Sequence, residues 1–496
     1  MAQLRLERDE PAPGVPAVPG LAGGRWITPA AERWELVYNP ATGEVIARVP
    51  FATGADVAAA VEAAAAAYPA WRRVPPVERA RLMFRYRDLL ERHFEELALS
   101  ITREHGKTLA EARAEVRRGI EVVEFAAGAP TLMLGEMAED VARGIDSELV
   151  RVPLGVVAGI CPFNFPAMIP LWMFPIAVAC GNTFVLKPSE RTPLTAVRLA
   201  ELFLEAGAPE GVLNLVHGGR EVANALVAHP GVKAVSFVGS QPAAQNVYAE
   251  AARHGKRVQA LGGAKNHLIV MPDADLEATV GAVVSSAFGS AGQRCLAGSV
   301  VVAVGEVGDP LVAALAEAAG KLVVGEGTDP QVDMGPVIRA EARDRIAGYI
   351  ERGARSGAAL VLDGRKHPHL RGPEGGFWMG PTLFDHVQPG HELACDEIFG
   401  PVLSVVRVPD LDTAIAVANR SRYGNAASIF TRSGAAARAF RYGIEAGMLG
   451  INVGVAAPMA WFPFSGWKAS FYGDLHATGK DGVRFYTEVK MVTSRW

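Results

Sequence analysis

Apolar positions recur along the chain in two different rhythms. Between residues 56 and 127 they fall at helical spacing. An alanine-rich run covers 56–68, a strongly amphipathic run covers 77–99, and a third extends from 109 to about 127; each predicts a helix. After residue 150 the rhythm changes. Short apolar runs at 155–160, 183–186, 212–216, 234–237 and 257–260 alternate with helical stretches such as 193–206 and 221–228. Strands alternating with helices predict a parallel, doubly wound sheet. Such sheets bind ligands beyond the carboxyl ends of their strands. A second α/β block follows Gly263, with strands near 267–270, 299–304 and 403–408 and helices at 276–288 and 310–322. A strand-like run at 484–489 closes the chain.

The edges of this pattern are informative too. Pro11, Pro13, Pro16 and Pro19, with Gly14 and Gly20, predict an extended arm over residues 1–20 with little packing, and ordered structure from about Trp26. Asn39-Pro40-Ala41-Thr42-Gly43-Glu44 reads as a turn before a strand at 45–49. Residues 154–181 carry no charge, but Pro162, Pro166, Pro170 and Pro175 interrupt them and Asn164 sits within. Prolines at that density predict a buried strand, a loop and a short core helix, not a membrane span.

Composition narrows the class. The chain has 496 residues, half of them apolar, and a net charge of −4 with acidic and basic residues interleaved. No basic stripe for nucleic acid and no polybasic membrane patch stands out. The four cysteines, Cys161, Cys180, Cys295 and Cys395, contain no C-x-x-C pair, which argues against a zinc or redox site and fits a reducing compartment. The first residues lack the apolar core of a secretory signal. A cytoplasmic enzyme without a metal is the expectation.

Four short stretches carry candidate chemistry. Phe288-Gly289-Ser290-Ala291-Gly292-Gln293-Arg294-Cys295 ends in a cysteine that small residues leave reachable, beside an arginine that could hold an anion. A nucleophile and a small buried filler fit it equally. Lys187-Pro188-Ser189-Glu190-Arg191 follows a predicted strand. Its lysine and glutamate could reach a ribose, and the carboxylate would repel a 2′-phosphate, favouring NAD over NADP; a surface turn is the plainer alternative. Phe237-Val238-Gly239-Ser240 ends a strand and opens a helix whose amides could meet a pyrophosphate, although no G-x-G-x-x-G is near. Asn164, in Cys161-Pro162-Phe163-Asn164-Phe165-Pro166, could donate to an oxyanion or be satisfied by backbone.

Together these stretches resemble the aldehyde dehydrogenase superfamily. Asn39-Pro40-Ala41-Thr42-Gly43, Glu104-His105-Gly106-Lys107-Thr108 and Glu397-Ile398-Phe399-Gly400-Pro401 add to the resemblance, in family order along nearly all of the chain after Trp26. The resemblance implies two doubly wound α/β domains and a small bridging sheet. After the arm of residues 1–20, an NAD-binding domain would take residues 21–139 and 157–262, a catalytic domain 263–463, and a bridging, oligomerising segment 140–156 and 464–496. It implies Cys295 as nucleophile, with Asn164 and the Cys295 amide as oxyanion hole. Lys187 and Glu190 would hold the adenosine ribose, Phe163 and Ser240 would line the cofactor path, and Glu397 would bind the nicotinamide ribose. Cys161, Arg191, Gly239, Gly262 and Phe399 would complete the NAD site. A homo-oligomer, a dimer or a tetramer built from dimers, is implied as well.

One departure narrows the resemblance. Where most of the superfamily carries a glutamate as general base before Leu-Gly-Gly, this chain has Ala260-Leu261-Gly262-Gly263. Alanine accepts no proton. Water attacking a thioester needs a base, whereas a thiol is partly ionised and strongly nucleophilic near neutral pH. A retained cysteine without its base therefore points to release onto a thiol such as coenzyme A. Gly263-Ala264-Lys265-Asn266-His267, Tyr423-Gly424-Asn425, Tyr472-Gly473-Asp474-Leu475-His476 and the run from Gly479 to Thr487 resemble the branch of methylmalonate-semialdehyde dehydrogenases, which acylate coenzyme A. That branch implies malonate or methylmalonate semialdehyde as substrate, loss of carbon dioxide, and Arg118 and Arg294 as carboxylate-binding residues. The alternatives are a hydrolysing semialdehyde dehydrogenase with a base from elsewhere, and a non-catalytic relative that lost its base.

Overall fold

A computed structural model describes residue 12 and residues 14–496. Residues 1–11 and 13 of the expected arm, with Pro11 and Pro13, lie outside the described residues. Two large sheets organise the molecule. The first runs Arg25–Ile27, Gly20–Ala22, Leu213–Leu215, Thr183–Lys187, Val156–Ile160, Val232–Val238, Arg257–Leu261, Phe471–Gly473. Its five inner strands are parallel and its outer strands antiparallel. The inner strands are buried on both faces because successive side chains alternate between two apolar layers. Val156, Ala158 and Ile160 face one layer, and Val157 faces the other with Phe184 and Leu186.

The second sheet runs Ala359–Leu362, Thr382–Asp385, Val402–Val408, Gly298–Val304, Asn266–Val270, Ala426–Phe430, Met448–Ile451, all parallel except the first strand. A third, antiparallel sheet joins Thr487–Arg495, Ile145–Pro153 and Glu136–Ala142. The strand order of the first sheet reverses at Val156–Ile160, so a crevice opens beyond the ends of that strand and its neighbours. Cys295, Glu397 and Phe399, in the segments that lead into two strands of the second sheet, line the same crevice.

The apolar run with four prolines is a fully buried strand, Val156–Ile160, and a fully buried helix, Met168–Ala179. Among the described residues no helix is long and apolar enough to cross a membrane. The third predicted helix is Leu109–Ala127, begun by a reciprocal cap in which Thr108 and Glu111 satisfy each other's backbone amides.

Three expectations need correction. Packing begins before Trp26: Val18 is 2% exposed, its N–H bonds to Arg48 O at 2.9 Å, and a strand forms at Gly20–Ala22. Prolines at 16 and 19 forbid a helix but not this edge pairing. The amphipathic run over 77–99 is two helices, Pro76–Arg92 and Phe94–His105, broken at His93 (φ −101°, ψ 17°). The run at 484–489 is divided: Val483 and Phe485 are buried on a helix, Gly479–Phe485, and the expected strand starts only at Thr487.

Candidate active site

Cys295 stands where two cavities meet. One, of about 710 Å³, lies over the carboxyl ends of the first sheet. The other, of about 270 Å³, lies against the helix Leu109–Ala127. The loop that delivers the cysteine bends sharply. Ser290 and Ala291 are held at φ 51° and 52°, and Gly292 follows at 70°. Left-handed backbone at two non-glycine residues costs about 1–3 kcal/mol each. Glu111 opposes that cost by accepting from Ser290 N at 2.6 Å. A side chain at Gly292 would strike the Gly400 carbonyl at 2.2 Å.

The backbone of the cysteine is fixed from behind. Asn266 and Asn425, each immediately before or at the start of an adjacent strand, both donate to the Cys295 carbonyl at 2.9 Å. Asn266 also accepts from Ala426 N at 3.0 Å. Burial, then the Glu397 carboxylate, push the Cys295 thiol up to about 12; the Cys295 and Leu296 amides and Arg294 pull the other way.

Asn164 lines the larger cavity with Cys295 and donates one amide hydrogen to Gln293 O at 2.9 Å. Its own carbonyl accepts from Lys107 Nζ at 2.7 Å. Lys107 in turn pairs with Glu115 at 2.7 Å, and both side chains are fully buried. The second Glu115 oxygen accepts from Ala167 N and Met168 N at 2.8 and 3.2 Å. This ion pair therefore holds the 164–168 segment between the two cavities. Removing either partner would strand a buried charge.

All ten residues expected at a cofactor line the larger cavity: Cys161, Phe163, Lys187, Glu190, Arg191, Gly239, Ser240, Gly262, Glu397 and Phe399. Lys187 Nζ is satisfied by Pro188 O, Gly218 O and, at 3.4 Å, Glu190. Burial raises the Glu190 carboxyl, but Lys187, its own amide and Arg191 outweigh burial and leave it below its ordinary value. Ser240 caps the helix Gln241–Arg253 without a side-chain hydrogen bond, so the amides of the first turn, other than Pro242, remain for a ligand. Arg191 stacks over the Phe163 ring at 5.5 Å, and Phe163 meets Phe399 edge-on at 5.8 Å. Burial lifts Glu397 to about 7, against the Ala264 amide and Lys265. Its Oε1 accepts from Ala264 N at 2.9 Å, and a side chain at Gly263 would press on its Oε2 at 2.5 Å. An anionic hydroxyl acceptor at one end, a free helix N-terminus midway and a second carboxylate beside the sulfur suit an extended dinucleotide.

The smaller cavity combines rings and charges. Phe165, Met168, Trp172 and Phe464 supply apolar walls; Arg118 and Arg294 line it with Cys295. Arg294 is tied to the Ser285 and Ser286 carbonyls, while its Nε is buried without a partner. Arg118 donates to Pro458 O and to Met459 Sδ. Ala260 is fully buried in its strand beside Phe237 and Tyr472 and lines neither cavity. Among the described residues, no cluster of three His, Cys, Asp or Glu side chains could hold a metal.

Several residues that build the site had no assigned role in sequence. Lys107 sits in Glu104-His105-Gly106-Lys107-Thr108, whose Glu104 caps the helix Leu194–Glu205 through Leu194 N and Thr195 N at 2.7 and 3.0 Å. Asn266 and Asn425 also sit in stretches that resemble the family. Gln293 sits in the cysteine stretch itself, and Glu115 carried no signal.

Two facing parallel sheets with a backbone-anchored cysteine between their ends define the class. The chain belongs to the aldehyde dehydrogenase family, whose sequence pattern matches residues 26–492, and it is an oxidoreductase acting on aldehydes. Within that family it is 60% identical to malonate-semialdehyde dehydrogenase 2 of Geobacillus thermodenitrificans, over 95% of this chain and 98% of that one. Its fold matches the crystal structure of methylmalonate-semialdehyde dehydrogenase from Oceanimonas doudoroffii with a TM-score of 0.95 and 50% identity, covering 97% of this chain and 99% of the other. A protein of Sinorhizobium meliloti 1021, provisionally named methylmalonate-semialdehyde dehydrogenase and solved with NAD, also matches at 0.95 with 47% identity, covering 97% and 98%.

Proposed function

We propose that this chain oxidises malonate or methylmalonate semialdehyde with NAD and transfers the decarboxylated acyl group to coenzyme A, giving acetyl- or propionyl-coenzyme A and carbon dioxide. The observation that carries the reading is the position of Cys295, shared by a cleft suited to a dinucleotide and a small cavity holding two arginines. The names of the similar proteins supply the substrate class. The NAD complex of the Sinorhizobium protein supports the cofactor.

In this reading Lys187 and Glu190 hold the adenosine ribose, the amides after Ser240 meet the pyrophosphate, and Glu397 accepts from the nicotinamide ribose. Phe163, Phe399, Cys161, Arg191, Gly239 and Gly262 shape the rest of the cleft. NAD, when bound, supplies the hydride acceptor. The Cys295 thiol gives its proton to water as its sulfur adds to the aldehyde carbon, forming a C–S bond while the carbonyl electrons move to oxygen. The Asn164 amide hydrogen not used by Gln293, with the Cys295 amide, receives that oxyanion. Loss of hydride from carbon restores the carbonyl as a thioester. Arg118 and Arg294 hold the remaining carboxylate. Its C–C bond then breaks; carbon dioxide leaves, the electron pair delocalises into the thioester carbonyl, and the α-carbon takes a proton from water. Coenzyme A thiolate attacks the thioester, and Cys295 leaves as thiolate.

Exposed apolar residues on the third sheet and beside it, among them Leu134, Met137, Val489, Met491 and Trp496, support assembly into a homo-oligomer. A second reading has a specific basis. Glu397 shares a cavity with Cys295 and titrates near neutrality, as a base for water would. Hydrolysis would then release a free acid. NADH formation from malonate semialdehyde with and without coenzyme A, followed by mass spectrometry of the product, separates the two. Turnover that ignores coenzyme A and yields free acid would overturn the transfer step.

A further inference from the structure

The smaller cavity is to receive an anion, yet three glutamates line it: Glu111, Glu115 and Glu121. Two are already committed. Glu115 is neutralised by Lys107 at 2.7 Å. Glu111 accepts from Thr108 N, Thr108 Oγ1 and Ser290 N. Glu121 differs. Its Oε2 is buried and accepts no hydrogen bond, and its only charge partner among the described residues is Arg118, at 3.5 Å. The hydrogen bonds of Arg118 go elsewhere, to Pro458 O and Met459 Sδ, so Glu121 is not what fixes the guanidinium in place. The two side chains are one helical turn apart on Leu109–Ala127, both facing the cavity.

We infer that Glu121 is a specificity-determining residue, a resident counter-charge on Arg118 that the substrate carboxylate must displace. The inference rests on the proposal that this cavity takes a carboxylated aldehyde. A loosely held carboxylate beside Arg118 keeps the guanidinium compensated while the cavity is empty. It also opposes every entering anion, because like charges a few ångströms apart repel in a poorly hydrated space. Once the substrate carboxylate has left as carbon dioxide, Glu121 is at hand to compensate Arg118 again. An uncharged aldehyde of the same length meets no such competition, so the glutamate sets how strongly the enzyme prefers a charged substrate.

The test is the ratio of kcat/KM for malonate semialdehyde to that for propanal, with the inhibition constant of malonate as a binding readout. Glu121→Gln keeps the shape and removes the charge. It should raise the ratio roughly tenfold and tighten malonate by a similar factor. Glu121→Asp, which keeps the charge, should stay within about twofold of wild type. Glu121→Ala should move in the same direction as Gln, should the amide variant fold poorly. An unchanged ratio in both uncharged variants would overturn the inference, and so would a fall, which would make Glu121 a support for Arg118. Arg118→Ala keeps the two levels apart. If it lowers the ratio while Glu121→Gln leaves it unmoved, only this inference fails. If Arg118→Ala also leaves the ratio unmoved, the carboxylate site itself fails and takes the inference with it.

Discussion

The two chambers that meet at Cys295 are built in opposite ways. The larger is made of strand ends. Cys161, Lys187, Gly239 and Gly262 each end or immediately follow a parallel strand of one sheet, a helix N-terminus opens beside them, and Glu190, Phe163 and Glu397 add their side chains. The smaller is made of side chains from segments remote in sequence: the helix around Arg118, the 165–172 segment, the cysteine loop and residues 455–464. A chamber set on the strand ends of one sheet takes its shape from that sheet. A chamber made of side chains is where one family can vary its substrate.

The comparison breaks most sharply at the shared atom. Cys295→Ala should reduce NADH formation on the order of 10⁴-fold or more while leaving dinucleotide binding, followed by NADH fluorescence, close to wild type. Loss of binding as well would mean the chambers are not independent. The shared wall comes next. Lys107→Met leaves Glu115 as a buried unpaired charge and should lower stability by about 3–5 kcal/mol in denaturant titrations; adding Glu115→Leu should recover part of it. Arg118→Ala should act on one chamber alone, lowering kcat/KM for malonate semialdehyde about 100-fold more than for propanal, with NAD affinity unmoved.

The smallest effect lies in the larger chamber. Glu397 titrates near 7 in the folded chain, above its ordinary 4.5. It is protonated below that value, so its ribose contact, and NAD affinity, should strengthen roughly threefold to tenfold from pH 6 to pH 8. Glu397→Gln should flatten the profile. Stability of the ligand-free chain carries the opposite sign. The folded state holds this proton more tightly, so the contribution is full below pH 4.5 and is lost as pH rises through about 7.

The same contrast explains what could be read from the sequence. The larger chamber was legible because strand, turn and helix are local patterns: Phe237-Val238-Gly239-Ser240 reads as a strand end wherever it occurs. Position 260 was legible as chemistry, since alanine takes no proton, but not as geometry; its burial away from both cavities follows from strand register. Arg294 was legible beside the cysteine as a holder of anions, whereas Arg118 came only through resemblance, because most arginines on such a helix are solvated. Glu121 and Glu115 were not legible at all, and Gln293 was legible only as part of the cysteine stretch. Their meaning depends on contacts between segments up to hundreds of residues apart. The helix break at His93 failed for a different reason: apolar spacing continues across it while the backbone does not.

The paired asparagines on the Cys295 carbonyl have a mechanical consequence. They moor main chain, not side chain, so the torsion left to the sulfur is the bond from Cα to Cβ. Staggered wells about such a bond interchange without any loop or domain moving. The sulfur thus turns on a fixed post, at the border of two rooms.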